Sequence, residues 1–186
     1  MDVGEKNLQQ CADAAIRLRA EYLFATHQIN QICFSYTNGE PIPFNKWRKG
    51  WRPAVKNNKT TWNLSATPDS SYTSFRNYLM NVFNYAGSAS LAKEMVRVSS
   101  FDSIRAGDVL VKGGNPGHVM TIVEIAINKK TGKKYFLLSQ SFMPAQSIHI
   151  VKNYSRPDIS PWYDTDDERI NTPGWQFEKK HLMRWK

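Results

Sequence analysis

Between Leu8 and about His27, the apolar residues Leu8, Ala12, Ala15, Ile16 and Leu23 recur at helical spacing with no Gly or Pro among them, which predicts a first helix. A second stripe, Phe75, Leu79, Val82 and Phe83, predicts a helix from Tyr72 to Tyr85, with serines before it and Gly87 as its stop. Ser90 is expected to cap a short third helix through Val96. Beyond it the pattern becomes β. Asp108 to Lys112, His118 to Ile127 and Lys134 to Ser141 read as strands, separated by Gly113-Gly114-Asn115-Pro116-Gly117 and Asn128-Lys129-Lys130-Thr131-Gly132. Cys33 to Tyr36 reads as a short strand ending at the Asn38-Gly39 turn. Residues 37–71 predict a long irregular loop, in which Pro41, Pro43, Pro53 and Pro68 accompany Trp47, Trp51 and Trp62. The tail from Ser155 reads as loop-rich, with an acidic knot at Asp164, Asp166, Asp167 and Glu168. A single α+β domain over residues 1–186 is the expectation.

Composition narrows the class. Hydrophobic residues at 41% and aromatics at 12% predict a folded globule. Lys and Arg number 25 against 16 Asp and Glu, a formal charge of +9, so the surface is drawn to anionic polymers. Charge alone does not choose among nucleic acid, acidic membrane and cell wall. No helix-turn-helix, RNP or zinc-finger signature appears and the basic residues are scattered, so a nucleic-acid partner is not expected. Residues 1–20 hold Asp2, Glu5 and Asp13 and no apolar segment, hence no secretory signal, and Met120 to Ile127 is too short to span a bilayer. A soluble protein is expected, cytosolic, exported without a signal peptide, or with its leader removed.

Two cysteines are too few for a disulfide framework, and alone Cys11 and Cys33 read as one disulfide or two buried thiols. His118 changes that picture. A thiol at a helix start and an imidazole at a strand start supply a nucleophile and its base, and a helix N-terminus beside an imidazolium lowers a thiol pKa. Along the strand, His118, Met120, Ile122 and Glu124 share one face. A hairpin closed around Lys130 pairs positions of even sum, such as 118 with 142 and 120 with 140. Any even-sum register sets Gln140 on that face, where its amide oxygen can fix the imidazole tautomer, and an odd slip would bring Ser139 instead. The backbone N–H of Cys11 and the side chain of Gln9 or Gln10 are candidate oxyanion donors. Asp13 either caps or pairs within the helix or receives a substrate amine, and Arg17 reads as an ordinary solvated or ion-paired helix charge. Trp47, Trp51 and Arg52 either line a substrate groove or, for the tryptophans, pin the loop to the core. His27, His149 and His181 are weaker candidates. No pair has metal-ligand spacing, no GK[ST] follows the glycine run and no G-x-S-x-G elbow occurs, so neither a metal nor a cofactor is expected.

The ordered set Cys11, Arg105-Ala106-Gly107-Asp108-Val109, Gly117-His118-Val119 and a polar residue on the next strand resembles the NlpC-type and CHAP cell-wall hydrolases. The longer set Gln10-Cys11-Ala12-Asp13-Ala14, Gly117-His118-Val119 and Leu138-Ser139-Gln140-Ser141-Phe142-Met143-Pro144-Ala145-Gln146-Ser147 resembles an uncharacterised domain family frequent in gut Bacteroidales. In the first resemblance the residue before the cysteine, usually acidic or polar in those families, is here the uncharged amide Gln10, and the acidic residue Asp13 comes after the cysteine. That resemblance implies a papain-like fold, an N-terminal helix carrying the cysteine against a small antiparallel sheet. It also implies a triad of Cys11, His118 and Gln140 that hydrolyses an amide of peptidoglycan peptide through an acyl-thioester. A monomer acting at the wall, periplasmic or secreted, follows from it. An antibacterial effector role, with an acidic immunity protein as partner, is a further expectation. The alternative is a binding module that holds glycan or peptide on the same fold without catalysis.

Overall fold

The first helix, α1 (Cys11–Ala25), begins one turn later than its apolar stripe suggests. Gln9 holds a left-handed φ of 71°, and the Asp13 carboxylate accepts the Gln10 N–H at 3.0 Å, so the chain turns into the helix only at Cys11. Its inward residues Ala12, Ala15, Ile16, Ala20 and Leu23 are buried, and the alanines let the helix lie close to the sheet beneath it. The structure is a computed structural model that describes residues 1, 3–4, 6–165 and 169–186.

The expected loop is largely ordered. β1 (Cys33–Ser35) pairs with β2 (Pro41–Pro43), and the short α2 (Phe44–Trp47) leads to a hairpin of β3 (Trp51–Lys56) and β4 (Lys59–Leu64). Asn57 and Asn58 both take positive φ, the backbone that a two-residue hairpin turn demands and that asparagine tolerates. Pro53 still pairs with Trp62, in a two-stranded sheet where its missing N–H falls on an edge.

Ser71 caps α3 (Tyr72–Phe83) by accepting the Ser74 N–H at 3.1 Å. In α4 (Ser88–Glu94) Gly87 holds the cap position. Ser90 lies in the first turn and reaches back to the Gly87 N–H at 3.0 Å, so it is not the cap.

The central sheet is antiparallel, in the order β10-β8-β7-β6-β13-β5, with β9 also on β8. It is built from β5 (Val96–Arg97), β6 (Val109–Lys112), β7 (His118–Ile127), β8 (Lys134–Gln140), β9 (His149–Ile150), β10 (Tyr163–Asp164) and β13 (Leu182–Arg184). In the tail, β11 (Arg169–Thr172) and β12 (Trp175–Glu178) form a further hairpin, so this region is more regular than its prolines suggest. Of the acidic knot, Asp166, Asp167 and Glu168 lie outside the described residues.

The sheet divides two cores. On one face Val109, Val111 and Val119 pack with α1, α2 and α3; on the other Leu110, Met120, Ile122 and Leu138 pack with Ile170 and Phe177 of the β11–β12 hairpin. Asp108 clamps the approach to β6. It is buried, accepts the Arg105 N–H at 2.9 Å, and takes both the Nε and Nη2 of Arg184 at 2.6 and 2.7 Å. The Gly-Asp motif is therefore structural here. Among the described residues no helix is long and apolar enough to cross a membrane.

Candidate active site

A β-bulge decides which side chain faces His118. The hairpin does not close on the even sum expected around Lys130: near the turn, Ile127 opposes Lys134 and Glu124 opposes Leu137, an odd-sum ladder. At Val123 the register shifts, and beyond it Ile122 opposes Leu138 and Thr121 opposes Ser139, an even-sum ladder. Had the ladder run unbroken from the turn, Gln140 would oppose Thr121 on the far face. The bulge instead brings it to the face of His118, where Gln140 Oε1 lies 2.6 Å from His118 Nε2. An oxygen acceptor there requires Nε2 to carry the proton, which leaves the lone pair on Nδ1.

Gly117 sets the start of the strand. A Cβ on it would stand 2.8 Å from the Lys112 carbonyl and 2.5 Å from that of Gly114, and would collide with Ser88 Oγ. Only glycine lets the turn close under α4 and deliver the imidazole. The ring, 2% exposed, is stacked on Trp175 with centroids 4.9 Å apart and planes 10° apart, and Phe142 tilts against it at 5.4 Å. Neither aromatic is singled out by sequence reasoning. Trp175 comes from the Thr172-Pro173-Gly174-Trp175 turn, whose only sequence signal is that of a loop.

Cys11, the first residue of α1, approaches β7 from the helix side of the sheet and is a free thiol, as is the exposed Cys33, so no disulfide joins them. Cys11 and His118 both line a cavity of about 560 Å³ at the end of β7, with Asp13, Ser88, Phe142 and Trp175 among its other walls. The backbone N–H groups of Val119, Ala12 and Cys11 itself favour the thiolate, but burial outweighs them and the thiol is pushed up, with the Asp13 carboxylate adding to the rise. Burial also pushes His118 down, against the pull of Gln140. Thiol and imidazole are therefore both neutral at rest, and among the described residues no hydrogen bond joins one to the other. The expectation of a helix-start thiol lowered by an imidazolium is not met, because desolvation outweighs the helix-start N–H groups.

Gln10 lines the cavity, its Nε2 only loosely held by the Asn7 carbonyl at 3.5 Å. Gln9 does not reach it. It is 1% exposed, and its amide oxygen accepts from Arg17, whose guanidinium is buried beneath α1 and also meets Glu21 at 3.6 Å. Arg17 is thus an ion-paired helix charge, as one of its two expected readings has it, but an internal one and not a solvated one. Asp13 is 6% exposed; its Oδ2 caps the helix and its Oδ1 has no hydrogen-bond partner among the described residues. Burial raises its carboxyl to about 7.

None of Trp47, Trp51 and Arg52, the residues expected in a substrate groove, lines this cavity. Trp47 is enclosed in the core; Arg52 lies over its ring at 4.0 Å and donates to the Trp47 and Trp51 carbonyls, and Trp51 is half-buried. Among the described residues no cluster of three His, Cys, Asp or Glu side chains could hold a metal ion.

The model of a family described as domain of unknown function (4846) matches residues 1–184 of the chain. No curated protein matches it, and no solved structure does either.

Proposed function

We propose that this chain, which belongs to the domain of unknown function (4846) family, is a cysteine amidase or peptidase of papain-like architecture directed at peptidoglycan peptide. One observation carries the reading. A buried imidazole is held through Nε2 by an amide oxygen, its second nitrogen is left basic, and a helix-start thiol opens into the same cavity.

From the neutral pair, the Cys11 proton passes to His118 Nδ1 as the sulfur attacks the amide carbon. The carbonyl oxygen, now an anion, is met by the Cys11 N–H and the Gln10 amide. His118 then returns the proton to the departing amine, leaving an acyl-thioester. Water, deprotonated by His118, releases the acid and restores the thiol. Gln140 holds the ring throughout, and Trp175 covers its face. Action at the wall, in the periplasm or outside the cell, belongs to the same reading, as does an effector role checked by an acidic immunity protein.

The test is digestion of purified sacculi by wild type and Cys11→Ala, with mass analysis of the released fragments. New fragments from wild type alone support the reading, and their masses identify the bond. The raised thiol and lowered imidazole favour a second reading, a glycan- or peptide-binding module on the same frame. Sacculi that are bound but uncut, with Cys11 inert to alkylation at neutral pH, would select it.

A further inference from the structure

We propose that the β3–β4 hairpin is a docking surface for the anionic glycan–peptide strands of a cell wall, separate from the cavity that holds Cys11. The choice of partner rests on the wall-directed reading above. Between Glu40 and Asp69 the chain has no acidic residue, while Lys46, Arg48, Lys49, Arg52, Lys56 and Lys59 supply six positive charges of a chain whose net charge is +9.

Alternation gives the hairpin two faces. Trp51, Pro53, Val55, Thr60 and Trp62 are half-buried, with Val55 and Trp62 packed on the helical core, whereas Ala54, Lys56, Lys59, Thr61 and Asn63 are exposed. Lys49 is exposed at its base. A two-stranded ribbon is marginal by itself. This one is tied down by Asn38 Nδ2, which donates to the Asn58 carbonyl at 3.1 Å and to Thr60 Oγ1 at 3.0 Å. None of the six cations forms an ion pair with a described carboxylate, although Arg52 feels the field of Asp69.

The aromatic rings separate a wall polymer from a nucleic acid. The Lys46 ammonium stands over Trp62 at 4.3 Å and over Trp51 at 5.2 Å, and Arg52 covers the buried Trp47. Faces already covered by the protein's own cations offer no platform for bases. What remains is a set of exposed lysines suited to the repeated carboxylates of stem peptides. No residue from 44 to 64 lines the Cys11 cavity, so holding the polymer and cutting it are separable.

The experiment is co-sedimentation with purified sacculi in the Cys11→Ala background, comparing the parent hairpin with Lys49→Glu/Lys56→Glu/Lys59→Glu, at low and at raised salt. Reversal is expected to weaken binding at least about tenfold at low salt and to flatten its salt dependence, as for a charge-steered surface. Should the reversed hairpin fail to fold by circular dichroism, the Lys→Gln triple replaces it, with an expected drop of about threefold. Binding that is absent, or unchanged by these substitutions, overturns the proposal. So does tighter binding of a single-stranded DNA oligonucleotide or of phosphatidylglycerol vesicles through the same lysines. If wild type leaves sacculi uncut yet binds them through these lysines, the docking surface stands and the hydrolase reading fails.

Discussion

Asp13→Asn tests the buried carboxyl beside the thiol. Asp13 is enclosed, only its Oδ2 is partnered, and burial holds it near 7 against an ordinary 3.8. Between those values the folded protein keeps a proton that the unfolded chain has released. Stability attributable to this group therefore falls as pH rises from about 4 to about 7 and levels off above. At about 1.36 kcal/mol per tenfold change in proton affinity, the full fall is about 4 kcal/mol. Asparagine keeps an acceptor for the Gln10 N–H and removes the ionisation. The stability of the Asp13→Asn variant relative to wild type should thus grow by as much as about 4 kcal/mol between about pH 4 and about pH 8. Urea denaturation followed by tryptophan fluorescence at several pH values measures it, and taking the difference cancels the other titrating groups. Because Asp13 also raises the neighbouring thiol, Cys11 should alkylate faster in the variant above neutral pH. A difference that stays flat across the range, or that shrinks as pH rises, would refute the reasoning.

Cys11→Ala and His118→Ala should each abolish fragment release, whereas Gln140→Ala, removing an orienting group only, should cost less than the about 10⁴-fold that follows loss of a carboxylate orienter. Rates on sacculi decide between these, and equal abolition with intact folding would give Gln140 a different role. In Trp175→Ala the uncovered His118 should recover toward its ordinary 6.5, so the acid limb of kcat/KM, placed below that value by burial, should move to higher pH. Gly117→Ala should lose about 1–3 kcal/mol or more in chemical denaturation, since two of the colliding atoms are backbone carbonyls, and it should slow turnover by displacing His118.

Local periodicity determined much of this protein. The 3.6-residue stripes of α1 and α3 are visible in the sequence because each helix turns an apolar stripe to the core, and β6 and β7 are visible as short apolar runs between turn clusters because the sheet is covered on both faces there. Cys11, His118 and Gln140 could be nominated for the same reason: each sits at an end of such an element. The β3–β4 hairpin escaped because Pro53 argues against a strand and only an edge makes it tolerable. Tertiary structure alone decided three further matters. The Val123 bulge shifts the ladder by one residue and so chooses Gln140 over Ser139, a choice that pairing parity cannot make before the bulge is known. Trp175, distant in sequence, reaches His118 only because the β11–β12 hairpin folds onto the second face of the sheet. The protonation of Cys11 and Asp13 follows from desolvation, which is a property of everything packed around a group. A helix start predicts a lowered thiol, and the packed chain reverses that sign.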